Sequence, residues 1–280
     1  SGHSLRADLK VSEIENSLSA QYAIPVLDPR SDRLVFSAGL VDEETDTSSS
    51  RVETVGVSLN RGRGKWRESL SLEYQREDFT VADIRDSTTL LIPGASWSRT
   101  WGGNQIFTLD GIRLDLAVQG AREQWLSDFS FVQLQGGIKF IQKLSASNRL
   151  IARGRLGSTW TEEFDELPSS VRFFAGGAQS VRGYAYESLG PEDENGEIEG
   201  GRHLAVGSLE FDHALRGNWG IALFYDVGNA INNRDDELEH GAGFGLRWKS
   251  PIGPVRFDLA SAISRDGDPW RLHINIGPDL

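Results

Sequence analysis

RFFAGGAQSVRGY, residues Arg172–Tyr184, interrupts an otherwise regular chain. It lies in the longest stretch that does not alternate apolar and polar residues. It combines two aromatics (Phe173, Phe174), a glycine pair (Gly176, Gly177), an arginine (Arg182) and a Gly-Tyr pair (Gly183, Tyr184). Glycine admits positive φ and close approach of another chain, so such a segment reads as a loop built to fit against something. Composition alone accounts for it equally well as a surface loop with a turn or two. The flanking sequence decides.

Outward from this stretch the chain alternates with period two. Leu5, Ala7, Leu9 and Val11 interleave with Arg6, Asp8, Lys10 and Ser12, giving one apolar and one charged face. Nine such segments precede the stretch, at about 5–11, 18–24, 33–42, 51–61, 65–76, 87–98, 105–118, 129–142 and 148–160. Five follow, at about 203–213, 218–228, 240–250, 253–262 and 270–280. They run to roughly ten residues, longer than the usual five or six of a globular strand and matching the 9–11 of a membrane-spanning one. A soluble sandwich alternates in the same way, so periodicity leaves both open.

The connections separate them. One set is short: LDPRSD, RGRGK, KLSASN, LRGN and SPIGP, with RTWGGNQ slightly longer. The other is mostly long and acidic: VDEETDTSSS, REDFTVADIRD, QGAREQWLSD, 161–202 and NAINNRDDELEHG, with only SEIENS and SRDGDP short. A rim of tight turns opposite a rim of long loops is the plan of outer-membrane barrels. Trp66, Trp97, Trp101, Trp160, Trp219, Trp248 and Trp270 fall near segment ends, as an aromatic girdle requires. The expected fold is an all-β, transmembrane antiparallel β-barrel.

Composition narrows the function. There are 29 basic against 41 acidic residues, a net charge of -12, which argues against nucleic acid as a partner. The absence of cysteine removes disulfides and thiolate chemistry. The absence of methionine points to a processed chain or a fragment. No apolar run approaches the roughly 20 residues of a membrane helix, a test blind to strands. The five histidines are scattered without metal-binding spacing, and no nucleophile, phosphate-loop or EF-hand pattern occurs. No enzyme, metal or cofactor is expected.

FFAGGAQSVRGYAYESLGP is similar to the loop motif of the outer-membrane assembly factors typified by BamA and TamA, and more loosely to that of two-partner secretion transporters. The similarity continues through LAVGSLEFDHAL, NWGIALFYDVGNA, GFGLRWKSPIGPVRFDLA and INIGPDL. The chain resembles the TamA-like branch more, because Tyr184 follows Arg-Gly and the chain ends Gly277-Pro278-Asp279-Leu280 rather than in an aromatic. The resemblance implies that loop 161–202 folds into the barrel lumen, carrying Val181, Arg182, Gly183 and Tyr184. Arg182 is then expected to meet Asp226 and Glu210 on the inner wall, because a dehydrated guanidinium needs a carboxylate and a bidentate pair fixes its orientation. A solvated loop arginine is the competing reading.

Family members have sixteen strands and preceding POTRA domains. The fourteen segments here imply that the first two strands and those domains lie outside residues 1–280. In the last segment Trp270, Leu272, Ile274 and Ile276 face one way, and Gly277-Pro278 is expected to weaken pairing at its end. In the family this strand borders a lateral seam that offers an edge to a client strand. The resemblance implies a Gram-negative outer-membrane protein that helps insert β-barrel proteins, autotransporters among them. It also implies outer-membrane lipids and a TamB-like periplasmic protein as partners, and a part in phospholipid transport. A secretion pore of the two-partner type and a passive porin remain as alternatives.

Overall fold

The computed structural model describes residues 2–45, 48–81, 84–102, 107–251, 253–265, 267 and 270–279. Alternation along each segment puts one face toward a common interior, and the strands pair in sequence order. The result is one fourteen-stranded antiparallel sheet, β1 to β14, with β1 and β14 at its ends. The strands are β1 Ser4–Val11, β2 Glu15–Pro25, β3 Arg33–Glu44, β4 Ser48–Arg63, β5 Trp66–Val81, β6 Ile84–Gly102 and β7 Gly111–Ala121. They continue as β8 Phe131–Lys143, β9 Asn148–Trp160, β10 His203–Ala214, β11 Trp219–Ile231, β12 Glu239–Ser250, β13 Gly253–Ala262 and β14 Trp270–Ile276.

The two faces are chemically distinct. On β11 Trp219, Ile221, Leu223 and Tyr225 are exposed, while Gly220, Ala222, Phe224, Asp226 and Gly228 are buried. The same inversion of a soluble protein, apolar residues outside and charges inside, recurs around the sheet, as a barrel in lipid requires. Aromatics mark both rims: Trp219 stacks on Trp248 and Trp66 meets Trp101 edge-on at the short-turn end, while Trp160 and Trp270 stand at the other.

Three expectations are corrected. VDEETDTSSS and REDFTVADIRD are not long loops, because β3 runs to Glu44, β4 starts at Ser48, β5 runs to Val81 and β6 starts at Ile84. Their charges are cross-strand partners, with Asp42 opposite Arg51, Arg51 opposite Asp78 and Glu53 opposite Arg76, so polar alternation there stabilises a ladder. β4 and β5 have 16 residues each and β6 has 19, so they reach past the roughly 30 Å of hydrocarbon and stand out of the membrane. Second, β7 starts at Gly111, not near 105; residues 105 and 106 lie outside the described residues. Third, β14 ends at Ile276 rather than 280. The ladder stops just before Gly277-Pro278, with one further bond from the Gly277 N–H to the Pro254 carbonyl at 3.2 Å.

Pro93 marks a division within β6. From Gly94 to Ser98 β6 pairs with both β5 and β7, but before Gly94 only with β5. The free edge is closed by the β7–β8 connection, where Ser127 Oγ accepts from the Leu91 N–H at 2.9 Å and Asp128 accepts from that of Thr89.

Candidate functional site

The 161–202 connection crosses the interior of the sheet from wall to wall. Near its start Ser169 Oγ donates to Glu77 Oε1 on β5 at 2.9 Å, Ser170 Oγ bonds the same carboxylate, and Gln75 Nε2 donates to Ser170 Oγ at 2.9 Å. From β8, Gln133 Nε2 donates to the Val171 carbonyl at 2.7 Å. Phe164, Leu167 and Val171 pack with Leu90 and Ile92 of β6 and with Phe129 and Phe131. Further along, Phe173, Ala175, Val181, Tyr184 and Leu189 pack with Leu204 and Val206 of β10, Ala230 of β11 and Ala262 of β13. The apolar residues of the loop therefore bury against the few apolar positions of an otherwise polar inner wall.

That packing aims Arg182. Its Nε donates to Asp226 Oδ2 at 2.7 Å and its Nη2 to Asp226 Oδ1 at 2.9 Å, a bidentate fork, and its backbone N–H adds a third bond to Oδ2 at 3.1 Å. Nη1 donates to Glu210 Oε2 at 2.7 Å and to Asp258 Oδ2 at 3.1 Å, and the guanidinium carbon sits 3.4 Å from the Phe224 ring centroid. Arg182 is 2% exposed and Asp226 0%, so each charge depends on the other.

The glycines make this approach feasible. Gly183 has φ +101°, and a Cβ there would stand 2.8 Å from the Ala262 backbone nitrogen. Gly176 has the same φ, with a Cβ clash of 2.3 Å against the Ala185 carbonyl oxygen; Gly177, at φ +92°, would press on Tyr186. The Gly183 N–H donates to His273 Nε2 at 3.0 Å, which ties the loop to the inner face of β14. Tyr184 donates its hydroxyl proton to Glu239 Oε2 at 2.6 Å and lies 2.8 Å from Ser264 Oγ. Burial, and then Glu239, push this phenol up to about 12, so it stays a donor.

Arg182, Asp226 and Glu210 thus meet, but they belong to a larger array. Arg247 of β12 donates to Glu210 Oε1 at 2.8 Å and to Asp258 Oδ1 at 2.6 Å. Arg149 of β9 donates to Asp212 Oδ2 at 2.7 Å and to Asp279 Oδ2 at 2.7 Å; Arg256 also pairs with Asp279. With Arg153, 3.9 Å from Asp226, five arginines face five carboxylates from Arg182 down to the chain's last described residue. Sequence marks Arg247 and Asp258 only as charges on the polar strand face, and it gives Phe224, Arg149, Asp212 and Asp279 no part in the site. The signal existed for the wall residues, since Asp258 lies between Phe257 and Leu259 as Asp226 lies between Tyr225 and Val227.

The last-strand residues lie apart from this array. Trp270, Leu272, Ile274 and Ile276 are exposed on the outer face of β14, each more than half accessible. Along one edge β14 pairs with β13 from Trp270 to Ile276; its other edge has no strand partner among the described residues. Gly277 follows, and Asp279 turns inward to its arginines and to the Thr108 N–H at 3.1 Å. The array binds charge to charge. What it can do is hold a loop against a wall and against the sheet's last strand.

The model of the Omp85 superfamily domain matches residues 1–279. The chain is 32% identical over 151 residues to the outer membrane protein assembly factor BamA of Nitratidesulfovibrio vulgaris, covering 50% of this chain and 19% of that one. The fold matches the crystal structure of BamA from Haemophilus ducreyi lacking POTRA domains 1–3, with a TM-score of 0.84 and 17% identity, covering 99% of this chain and 64% of that one. CdiB from Acinetobacter baumannii is similar at a TM-score of 0.60 and 17% identity, covering 94% and 50% respectively. The chain thus spans less than two thirds of each of these proteins. A model match over nearly every residue, on a sheet with apolar residues outside and charges inside, means that the chain belongs to the Omp85 superfamily and is an outer-membrane β-barrel of a Gram-negative bacterium.

Proposed function

We propose that this barrel assists the insertion of β-barrel proteins, autotransporters among them, into the outer membrane, using the free edge of β14 as a template for client strands. The observation that carries this reading is the last strand's inner face, held by the loop motif through the bond from the Gly183 N–H to His273 in a chain of the Omp85 superfamily. A free edge presents unsatisfied N–H and C=O groups, which a client strand satisfies by β-augmentation. No nucleotide or cofactor enters this reading; the driving force is the client's own burial in lipid. The TamA-like feature, Tyr184 after Arg182-Gly183, supports a TamB-like periplasmic partner and a part in phospholipid transport as finer assignments.

The test is site-specific photocrosslinking in cells, with the photoreactive residue at Leu272 or Ile274 on β14 and, as a control, at Leu209 on the outer face of β10. Adducts with a nascent barrel protein at β14 but not at β10 are expected. Equal yields at both positions, or none at either, would sink the template reading. Co-purification of a TamB-like protein is the separate check on the finer assignment.

A further inference from the structure

The outer face holds a group of side chains that neither the loop nor the seam uses. On β6 Trp97, Arg99 and Trp101 point outward at the short-turn rim, beside Arg61 and Arg63 at the end of β4 and Trp66 and Glu68 at the start of β5. Short turns of outer-membrane barrels face the periplasm, so this group lies at the headgroup level of the periplasmic leaflet. Arg99 lies between two indoles, its guanidinium carbon 4.2 Å from the Trp101 centroid and 5.7 Å from that of Trp66.

Its hydrogen-bonding capacity is unspent. Arg99 makes no ion pair or hydrogen bond with any described residue, and its Nε is buried without a partner. The local carboxylate, Glu68, is already committed: it accepts from Arg61 Nη2 at 2.5 Å, from Trp97 Nε1 at 3.1 Å and from Arg63 Nε at 3.4 Å. Arg61 Nε is likewise buried and unpartnered. Two guanidinium groups, those of Arg61 and Arg63, therefore share one carboxylate on a lipid-facing surface while Arg99 has none, and Arg61 and Arg99 each hold a buried Nε–H without a partner. An unpaired buried donor is costly, and a cation facing hydrocarbon more so. The chain as a whole carries a net charge of -12 and repels anions, so whatever satisfies these groups is recruited locally.

We propose that this cluster binds the phosphodiester headgroup of a phospholipid in the periplasmic leaflet. A planar guanidinium held flat by aromatic rings presents its donor fork to phosphate oxygens, which matches phosphate geometry. The neighbouring outward positions suit the rest of the molecule. Leu116 is opposite Trp97, and Leu70 and Leu72 continue the face away from the rim, all exposed and apolar, so acyl chains lie against them while the phosphate stays at the aromatic belt. That apolar strip is what selects a lipid over free phosphate. The site is independent of the client-insertion reading, since it lies on β4 to β6, away from β14.

The test is native mass spectrometry of the detergent-purified barrel titrated with phosphatidylglycerol, with inorganic phosphate in a parallel arm. The expected result is one phospholipid retained on the wild-type chain, with Arg99→Gln weakening that retention roughly tenfold, since a charge-assisted bond is removed. Arg99→Lys should recover only part, because an ammonium keeps the charge and loses the stacked fork. Heat-modifiable electrophoretic mobility checks that each variant is a folded barrel. Equal lipid retention by wild type and Arg99→Gln would overturn the proposal. Displacement of the lipid by millimolar inorganic phosphate would overturn the lipid assignment.

Discussion

At the scale of single residues the interior is organised by charges that depend on one another. Arg182 is shared among Asp226, Glu210 and Asp258, and two of these are shared again with Arg247. Removing the guanidinium leaves the buried Asp226 without its bidentate partner, and Glu210 and Asp258 with Arg247 alone, a loss of roughly 3–5 kcal/mol for a broken buried pair. Arg182→Ala should therefore release the loop, seen as faster limited proteolysis within 175–190; unchanged cleavage would mean that apolar packing holds the loop by itself. Glu187 gives the same loop a pH dependence. Its backbone is left-handed, with φ 55°, and burial, then the Glu43 charge, raise its carboxyl to about 7, while Tyr186 and Glu15 are the other titratable groups near it. A carboxyl raised in the folded state contributes stability that is present below its unfolded pKa and is lost as pH rises toward 7. Loop docking should thus be tighter at pH 5 than at pH 8, by on the order of 2 kcal/mol after allowing for solvent screening. Glu187→Gln, which keeps the backbone and removes the charge, should flatten that difference in proteolysis rates. A pH response that survives the substitution would place its origin elsewhere.

At the scale of elements, β14 is held from two directions. Among the described residues its strand pairs with β13 alone, yet its continuation is pinned by Asp279 to Arg149 and Arg256, far apart in sequence. Asp279→Ala should leave those arginines short of a partner and loosen the end of β14, measurable as faster amide exchange at residues 274–277 with little change at β10. Exchange unaltered at 274–277 would show that the β13 ladder alone holds the strand. This pin also marks where sequence reading stops. The fourteen strands and their faces were legible because each strand repeats the alternation within itself, and Asp226 in FYDVG is the plain case. The pairing of Asp279 with Arg149 depends on how β9 stands relative to β13 across the barrel, which no local pattern encodes. The overlong β4, β5 and β6 were hidden for a related reason: above the membrane both faces are polar, so a paired ladder such as Glu53 opposite Arg76 has the composition of a loop. The loop's own contacts with Glu77 and Gln133 escaped for want of any local signal in those two strands.

At the scale of the whole molecule the question is whether the barrel is open. Loop 161–202 touches β5 through Ser169, β8 through Val171, β10, β11 and β13 through Arg182, and β14 through Gly183, so it spans the interior from side to side. The space left beside it is a cavity of about 670 Å³ lined in part by Arg113, Lys139, Arg153 and Asp279 and bounded by the loop at Gln179 and Ser180. An ion crossing the barrel must therefore pass between loop and wall, where the guanidinium and carboxylate groups already neutralise each other and leave little room. Single-channel recording in planar bilayers should show a low conductance for the intact chain and a much larger one when residues 175–190 are replaced by a short Gly-Ser linker. Lys139 lies opposite both Arg113 and Arg153 in the sheet, so the enlarged pore should favour anions. Arg182→Ala should fall between the two, with brief openings as the loop leaves and returns. If the intact chain already conducts as well as the linker variant, the loop does not close the barrel and the passive porin reading returns. If it conducts poorly and the variant opens, transport of polypeptide or lipid has to proceed along the wall and the β14 edge, not through the middle.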